Sequence, residues 1–169
     1  PKDLISSTRA DEGPQFSPDG RRVAFISNRS GKHNLWLCDA DGKNPAQLTD
    51  VLDVSKPSWS PDGRLIAFSS LAGGNADIYT VSADGGVARR LTTDPSGEMT
   101  PSWSPDGSWL YFSSNRTGRA EVWKMPAAGG AEVQLTHGGG FDPVAAPDGR
   151  TVYYLHDGDE PSLWAVGTE

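Results

Sequence analysis

The chain has 169 residues, with 15 lysines and arginines against 22 aspartates and glutamates, for a formal net charge of −7. That balance argues against duplex DNA, RNA or an anionic membrane surface as partner, each of which needs a clustered basic face, and no apolar run approaches the ~18 residues of a spanning helix. The 20 glycines and 13 prolines stand beside 36% hydrophobic residues, so they mark dense turns in a single domain over 1–169 with a real core, not disorder.

Read from the start, residues 1–8 hold Leu4-Ile5-Ser6, which aligns with later Leu-Thr pairs at Leu48-Thr49, Leu91-Thr92 and Leu135-Thr136. Pro-Asp-Gly then occurs at Pro18, Pro61, Pro105 and Pro147, at spacings of 43, 44 and 42. A period in this range is the mark of a repeat architecture. The units run approximately over 9–49, 50–92, 93–136 and 137–169. Two residues before each Pro stand Phe16, Trp59, Trp103 and Ala145; seven after it stand Phe25, Phe68, Phe112 and Tyr154. A second aromatic column follows at Trp36, Tyr79, Trp123 and Trp164.

Each unit predicts four short strands. In the second copy these are 56–60, then a Pro-Asp-Gly turn, 64–69, a polar loop, 77–81, a Gly-rich turn and 88–92. Pro presets φ, Asp accepts local hydrogen bonds and Gly takes the positive φ that closes a bulged hairpin. Alternating side chains between such turns mean antiparallel sheet. Four-stranded units of this period form an all-β β-propeller, with aromatics filling the gaps between blades.

The string Ser-Pro-Asp-Gly, then an aliphatic-aromatic pair, Ser-x-Arg-x-Gly, an aliphatic residue before Trp or Tyr, Asp-Gly-Gly and Leu-Thr resembles the TolB-type propeller repeat. Phe16 to Gly31 and Pro101 to Gly118 carry it closely; the fourth copy departs, with Ala145-Ala146 in place of Trp-Ser. The resemblance covers essentially all of the chain and specifies fold more than function. It implies an interaction module of the bacterial cell envelope, which suggests the periplasm, although no secretory leader stands at Pro1.

The two ends complement each other. The chain opens on a fourth strand and closes on a third, Ser162 to Val166, so Leu4 and Ile5 are expected to pair with the blade of Leu163, Trp164 and Val166. Three closures follow: a monomeric four-bladed ring, an eight-bladed ring from a head-to-tail homodimer, or part of a six-bladed propeller. Adjacent blades turn by about 90° with four blades, about 60° with six and about 45° with eight. The steepest turn is the hardest for blades of a six-blade habit, so the dimer is the preferred expectation.

Chemistry is sparse. The sequence has no Gly-x-Ser-x-Gly elbow, no P-loop and no dinucleotide fingerprint. His33, His137 and His156 fall in different repeats without ligand spacing, and Asp39-Ala40-Asp41-Gly42 fails the calcium-loop pattern at Lys43 and Asn44. Asp157-Gly158-Asp159-Glu160 reads as a solvated acidic turn, and the Asn28 and Asn115 acceptor patterns fall on the repeat's own loop. Cys38 sits in a core column with Val81, Met125 and Val166. No catalytic residue, metal or cofactor is expected.

Loops between second and third strands share one face with the interblade loops, and there the copies diverge. Glu12, Lys56, Glu98 and Asp142 are expected near the channel mouth, with Arg29 and Arg116 on the adjacent loops and Met99 and Phe141 exposed. Mixed charge with apolar anchors suits a protein or peptide partner. The Arg pair equally suits bracing of its own loops. The favoured reading is a non-enzymatic scaffold. The alternatives are the accessory propeller of a prolyl oligopeptidase-like hydrolase, whose catalytic domain this chain lacks, and a sugar- or small-ligand-binding lectin.

Overall fold

A computed structural model describes residues 9–51, 53–156 and 162–169. Among them the chain is all β, in four antiparallel sheets that follow one another in sequence. The first blade holds β1 (Asp11–Phe16), β2 (Arg22–Ser27), β3 (Asn34–Asp39) and β4 (Ala46–Gln47). The second holds β5 (Val54–Trp59), β6 (Leu65–Ser70), β7 (Asp77–Ser82) and β8 (Arg89–Arg90). The third holds β9 (Glu98–Trp103), β10 (Trp109–Ser114), β11 (Glu121–Pro126) and β12 (Val133–Gln134). The fourth has three described strands, β13 (Phe141–Ala145), β14 (Thr151–His156) and β15 (Ser162–Gly167). The fourth strands are two-residue ladders, shorter than the expected 88–92, because the Leu-Thr pair leaves the ladder to cap the third strand.

The repeated turn is built as its residues require. Gly20, Gly63, Gly107 and Gly149 have φ of 69–72° and donate to the carbonyls of Ser17, Ser60, Ser104 and Ala146. The Asp carboxylate then caps the chain two residues on, from Arg21, Arg64, Ser108 and Arg150 N–H groups. It also accepts the hydroxyls of Ser17, Ser60 and Ser104 at 2.5–2.6 Å. Ala146 removes that bond from the fourth copy. The expected structural role of these aspartates is what the hydrogen bonds describe.

The blades pack face to face through the repeat columns. Ala24, Ile26, Leu35 and Leu37 of blade one meet Trp59, Ile66, Phe68 and Tyr79 of blade two. Ala67 and Ile78 meet Trp103, Leu110 and Phe112 in the same way, and Tyr111 and Val122 meet Val152 and Tyr154. Each large side chain removed from water there contributes about 1.5–3 kcal/mol. Trp59 and Trp103 also donate Nε1–H to the preceding blade's Gln15 and Ser58 carbonyls, at 3.1 and 3.0 Å. Cys38 lies in the core, as its column predicts, and burial pushes its thiol pKa up.

Phe16 occupies the column of Trp59 and Trp103 yet is 61% exposed, against 7% and 8%. At the other end, Leu163 is 70% and Trp164 49% exposed, while Val166 packs into the core between blades three and four. Among the described residues no strand of blade four pairs with one of blade one. Leu4 and Ile5, and the acidic turn 157–160, lie outside the described residues.

Candidate functional site

The innermost strands β1, β5, β9 and β13 each slip register once against their neighbours. At the slip one residue takes the left-handed conformation: Gly13 (φ 57), Lys56 (φ 51), Thr100 (φ 55) and Asp142 (φ 50). A proline follows each, Pro14, Pro57, Pro101 and Pro143. An L-residue costs about 1–2 kcal/mol in this region, and three of the four positions carry a side chain nonetheless. The bulge turns those side chains into a concave groove of about 600 Å³, whose walls include the Trp59 and Trp103 edges. Lys56 Nζ lies 3.4 Å from Asp142 Oδ2 there, with both partners partly in solvent.

The expected face residues divide into two groups. Glu12 is exposed, Lys56 and Asp142 meet, and Met99 is half-exposed. Phe141, expected to be exposed, is half-buried at the start of β13. Glu98 is completely buried; Ser114 Oγ donates to it at 2.9 Å and Arg116 approaches within 3.2 Å. Burial raises its carboxyl pKa despite those partners. Arg116 also pairs with Glu132 and stacks on Trp123 at 4.4 Å. Arg29 does the same in blade one, with Asp11 at 2.8 Å and Trp36 at 4.9 Å. The bracing alternative therefore describes both guanidinium groups as they stand here.

The residues before the first three bulges open a second groove on the same rim. Glu12, Ser55 and Met99 line it with His33, Asp53 and Leu71, in a volume of about 390 Å³. Ser55 and Ser69 hydroxyls pair at 2.8 Å, and His33 Nδ1 stands 3.6 Å from Asp53 Oδ1.

A family model for the TolB beta propeller domain matches residues 52–166. The chain belongs to that family. The Tol-Pal system protein TolB of Zymomonas mobilis is 38% identical over 56 residues, which cover 32% of this chain and 12% of that protein. The protein TolB homolog of Chlorobaculum tepidum is 42% identical over 36 residues, 21% of this chain and 8% of that one. The matched stretches thus span only a small part of these curated bacterial relatives. Among solved structures, TolB from Acinetobacter baumannii superposes with a TM-score of 0.82 at 23% identity, over 96% of this chain and 42% of that chain. A puromycin hydrolase gives 0.80 at 14% identity, over 99% of this chain and 28% of that chain. At such identities the likeness is one of fold.

One element of the TolB-type repeat escapes the sequence reading. Asn34, Asp77 and Glu121 open the third strands and are buried. Thr49 and Thr136 hydroxyls donate to Asn34 Oδ1 at 3.2 Å and Glu121 Oε2 at 2.6 Å. Those two hydroxyls and that of Thr92 accept the N–H groups of Leu35, Val122 and Ile78. Asp77 instead pairs with Arg90 at 2.8 Å. The signal was present, two residues before the Trp36, Tyr79 and Trp123 column.

Proposed function

We propose that this TolB-type propeller is a non-enzymatic scaffold that binds a protein or peptide partner on its loop-rich face, at the channel mouth. The observation that carries the reading is the bulge column. One backbone geometry presents four different residues, Gly13, Lys56, Thr100 and Asp142, to one groove. Repetition of frame with variation of display is what a recognition surface on a rigid scaffold needs. Glu12 and Met99 line the neighbouring groove of the same face and Phe141 precedes Asp142 in β13, while Arg29, Glu98 and Arg116 hold their loops. The relatives named as Tol-Pal system proteins support a protein partner. Peptides selected on the wild-type protein should lose affinity for the K56A/D142A double variant at unchanged melting temperature. Selected peptides that bind both proteins equally would overturn the proposal.

The likeness to a puromycin hydrolase supports a second reading, in which the propeller accompanies a catalytic domain. Peptidase turnover by this chain alone would contradict the scaffold reading.

For assembly, we infer a head-to-tail pair of chains closing one eight-bladed ring, with the blade of Leu163 and Trp164 in one copy meeting the other copy. The exposure of Phe16 and Leu163 at opposite ends supports it. So does the turn ladder: a Cβ on Gly63, Gly107 or Gly149 would contact Pro18, Pro61 or Pro105 of the preceding blade, whereas Gly20 has nothing within 4 Å. Light scattering across a dilution series should give twice the 18.0 kDa of one chain. A persistent single-chain mass would overturn the pair.

A further inference from the structure

The second groove on the loop face has a chemistry of its own. Its apolar wall includes Leu71 and Met99, which are 41% and 50% exposed. Its polar wall carries Glu12, Asp53 and His33, the imidazole standing beside Asp53, and among the described residues no lysine or arginine lines it. The nearby cations are engaged elsewhere. Arg29 holds Asp11, Arg90 holds Asp77, Arg116 holds Glu98, Arg119 holds Glu121 and Lys56 holds Asp142. Glu12, by contrast, has no ion pair among the described residues.

Ligand pockets run from about 300 to 1,000 Å³, so about 390 Å³ admits one long side chain with its backbone and not a folded surface. Lysine and arginine combine an apolar stem with a charged head, and lay the stem on apolar surface while the head stays polar. A stem along Leu71 and Met99 brings the head to the carboxylates of Glu12 and Asp53. An acidic side chain would meet two like charges, and a purely apolar one would leave the Glu12 carboxylate without a partner, while Asp53 keeps His33 Nδ1 at 3.6 Å.

We propose that this groove is a subsite for a lysine or arginine side chain of an extended peptide segment. This rests on the loop-face reading above and names the partner's chemistry. Glu12, Leu71 and Met99 come from three different blades or their connecting loops, so the subsite exists only when blades one, two and three are packed.

The chain has two methionines, and they serve as probes. Met99 is half-exposed in the groove and Met125 is fully buried in the core between blades two and three. With ¹³C-methyl methionine labelling, three blocked Ala-Leu-X-Leu-Ala peptides are titrated, X being lysine, norleucine or glutamate. The lysine peptide should shift the Met99 methyl saturably and leave Met125 still. Norleucine should bind about fivefold more weakly, the size of one good exposed ion pair, and glutamate more weakly again. E12Q and D53N should each weaken the lysine peptide by about threefold; Asn tolerates the left-handed backbone of Asp53 (φ 45), so the second variant keeps its loop. Equal affinity for lysine and norleucine, tighter binding of glutamate, or a Met99 signal unmoved by every peptide would overturn the subsite. With valine methyls labelled as well, the loop-face reading fails separately, when the peptides instead perturb Val87 beside the Pro-Asp-Gly turns on the opposite rim.

Discussion

Lys56 of the second blade reaches Asp142 of the fourth, 3.4 Å away, passing in front of the third. Both residues stand at the same point of their repeats, on the same left-handed bulge, so the ion pair is a chord across the arc of blades. Its side chains are 60% and 32% exposed, which limits its strength. K56E should therefore lower stability by no more than about 1 kcal/mol, and the K56E/D142K exchange should recover it. Thermal melts at low and high salt check this, with the wild-type and exchanged proteins losing their advantage in salt.

Arg116 is a different kind of cation. It is 15% exposed, faces the fully buried Glu98 and stacks on Trp123. Substitution by methionine keeps the stem and leaves a buried carboxylate unpaired, which costs about 3–5 kcal/mol. Denaturant unfolding should show the loss in the R116M variant without a change of slope.

Glu98 carries a pH signature. Burial raises its pKa above the ordinary 4.5, even against the Ser114 hydrogen bond and the Arg116 charge. A carboxyl whose folded pKa is raised contributes stability below its unfolded value, and that contribution is lost as pH rises through the folded value. E98Q removes the dependence. The melting temperature of E98Q relative to wild type should therefore improve steadily from pH 4 to neutrality; a flat difference would contradict the buried carboxyl.

Asp106 has the opposite sign. Hydrogen bonds from Ser104, then Ser108, pull its pKa down to about 2. Its stabilising contribution is present above the ordinary carboxylate range and lost as pH falls toward that value. S104A should move the Asp106 titration upward in a carboxyl ¹³C NMR experiment and make acid unfolding begin at higher pH. The fourth blade already holds Ala146 at the equivalent position.

Trp59 ties blade two to blade one through its Nε1 bond to Gln15 and a cation–π contact with Arg22 at 5.3 Å. W59F keeps one aromatic ring but abandons the bond and part of the indole's packing, with an expected loss of at least about 1 kcal/mol. The melting temperature of this variant reads the two losses together.

The blades were legible because the repeat writes their turns and cores directly: Pro-Asp-Gly fixes the hairpin, and Phe25, Phe68 and Phe112 mark the packed faces. The site was legible only in part. Lys56 and Asp142 could be placed near the channel from their loop positions, but their meeting depends on how far the arc turns between blades, which no local pattern records. Glu98 looked like a surface charge because its burial is decided by Arg116 and Ser114, neighbours brought by β10 and its loop. The left-handed backbone at Thr100 was hidden for a related reason. Nothing in a threonine before a proline announces a positive φ; the bulge is imposed by the neighbouring strand.

The bulge column has a consequence for how such a protein diversifies. Because φ at Gly13, Lys56, Thr100 and Asp142 spans only 50–57°, a substitution at any one of them changes what the groove shows while the strand register on either side is kept. Copying or exchanging a whole repeat would transplant its groove residue in the same pose. Variation at these points is bounded by the cost of the left-handed backbone and not by the interior columns, so new specificities can be assembled by shuffling modules whose cores stay the same.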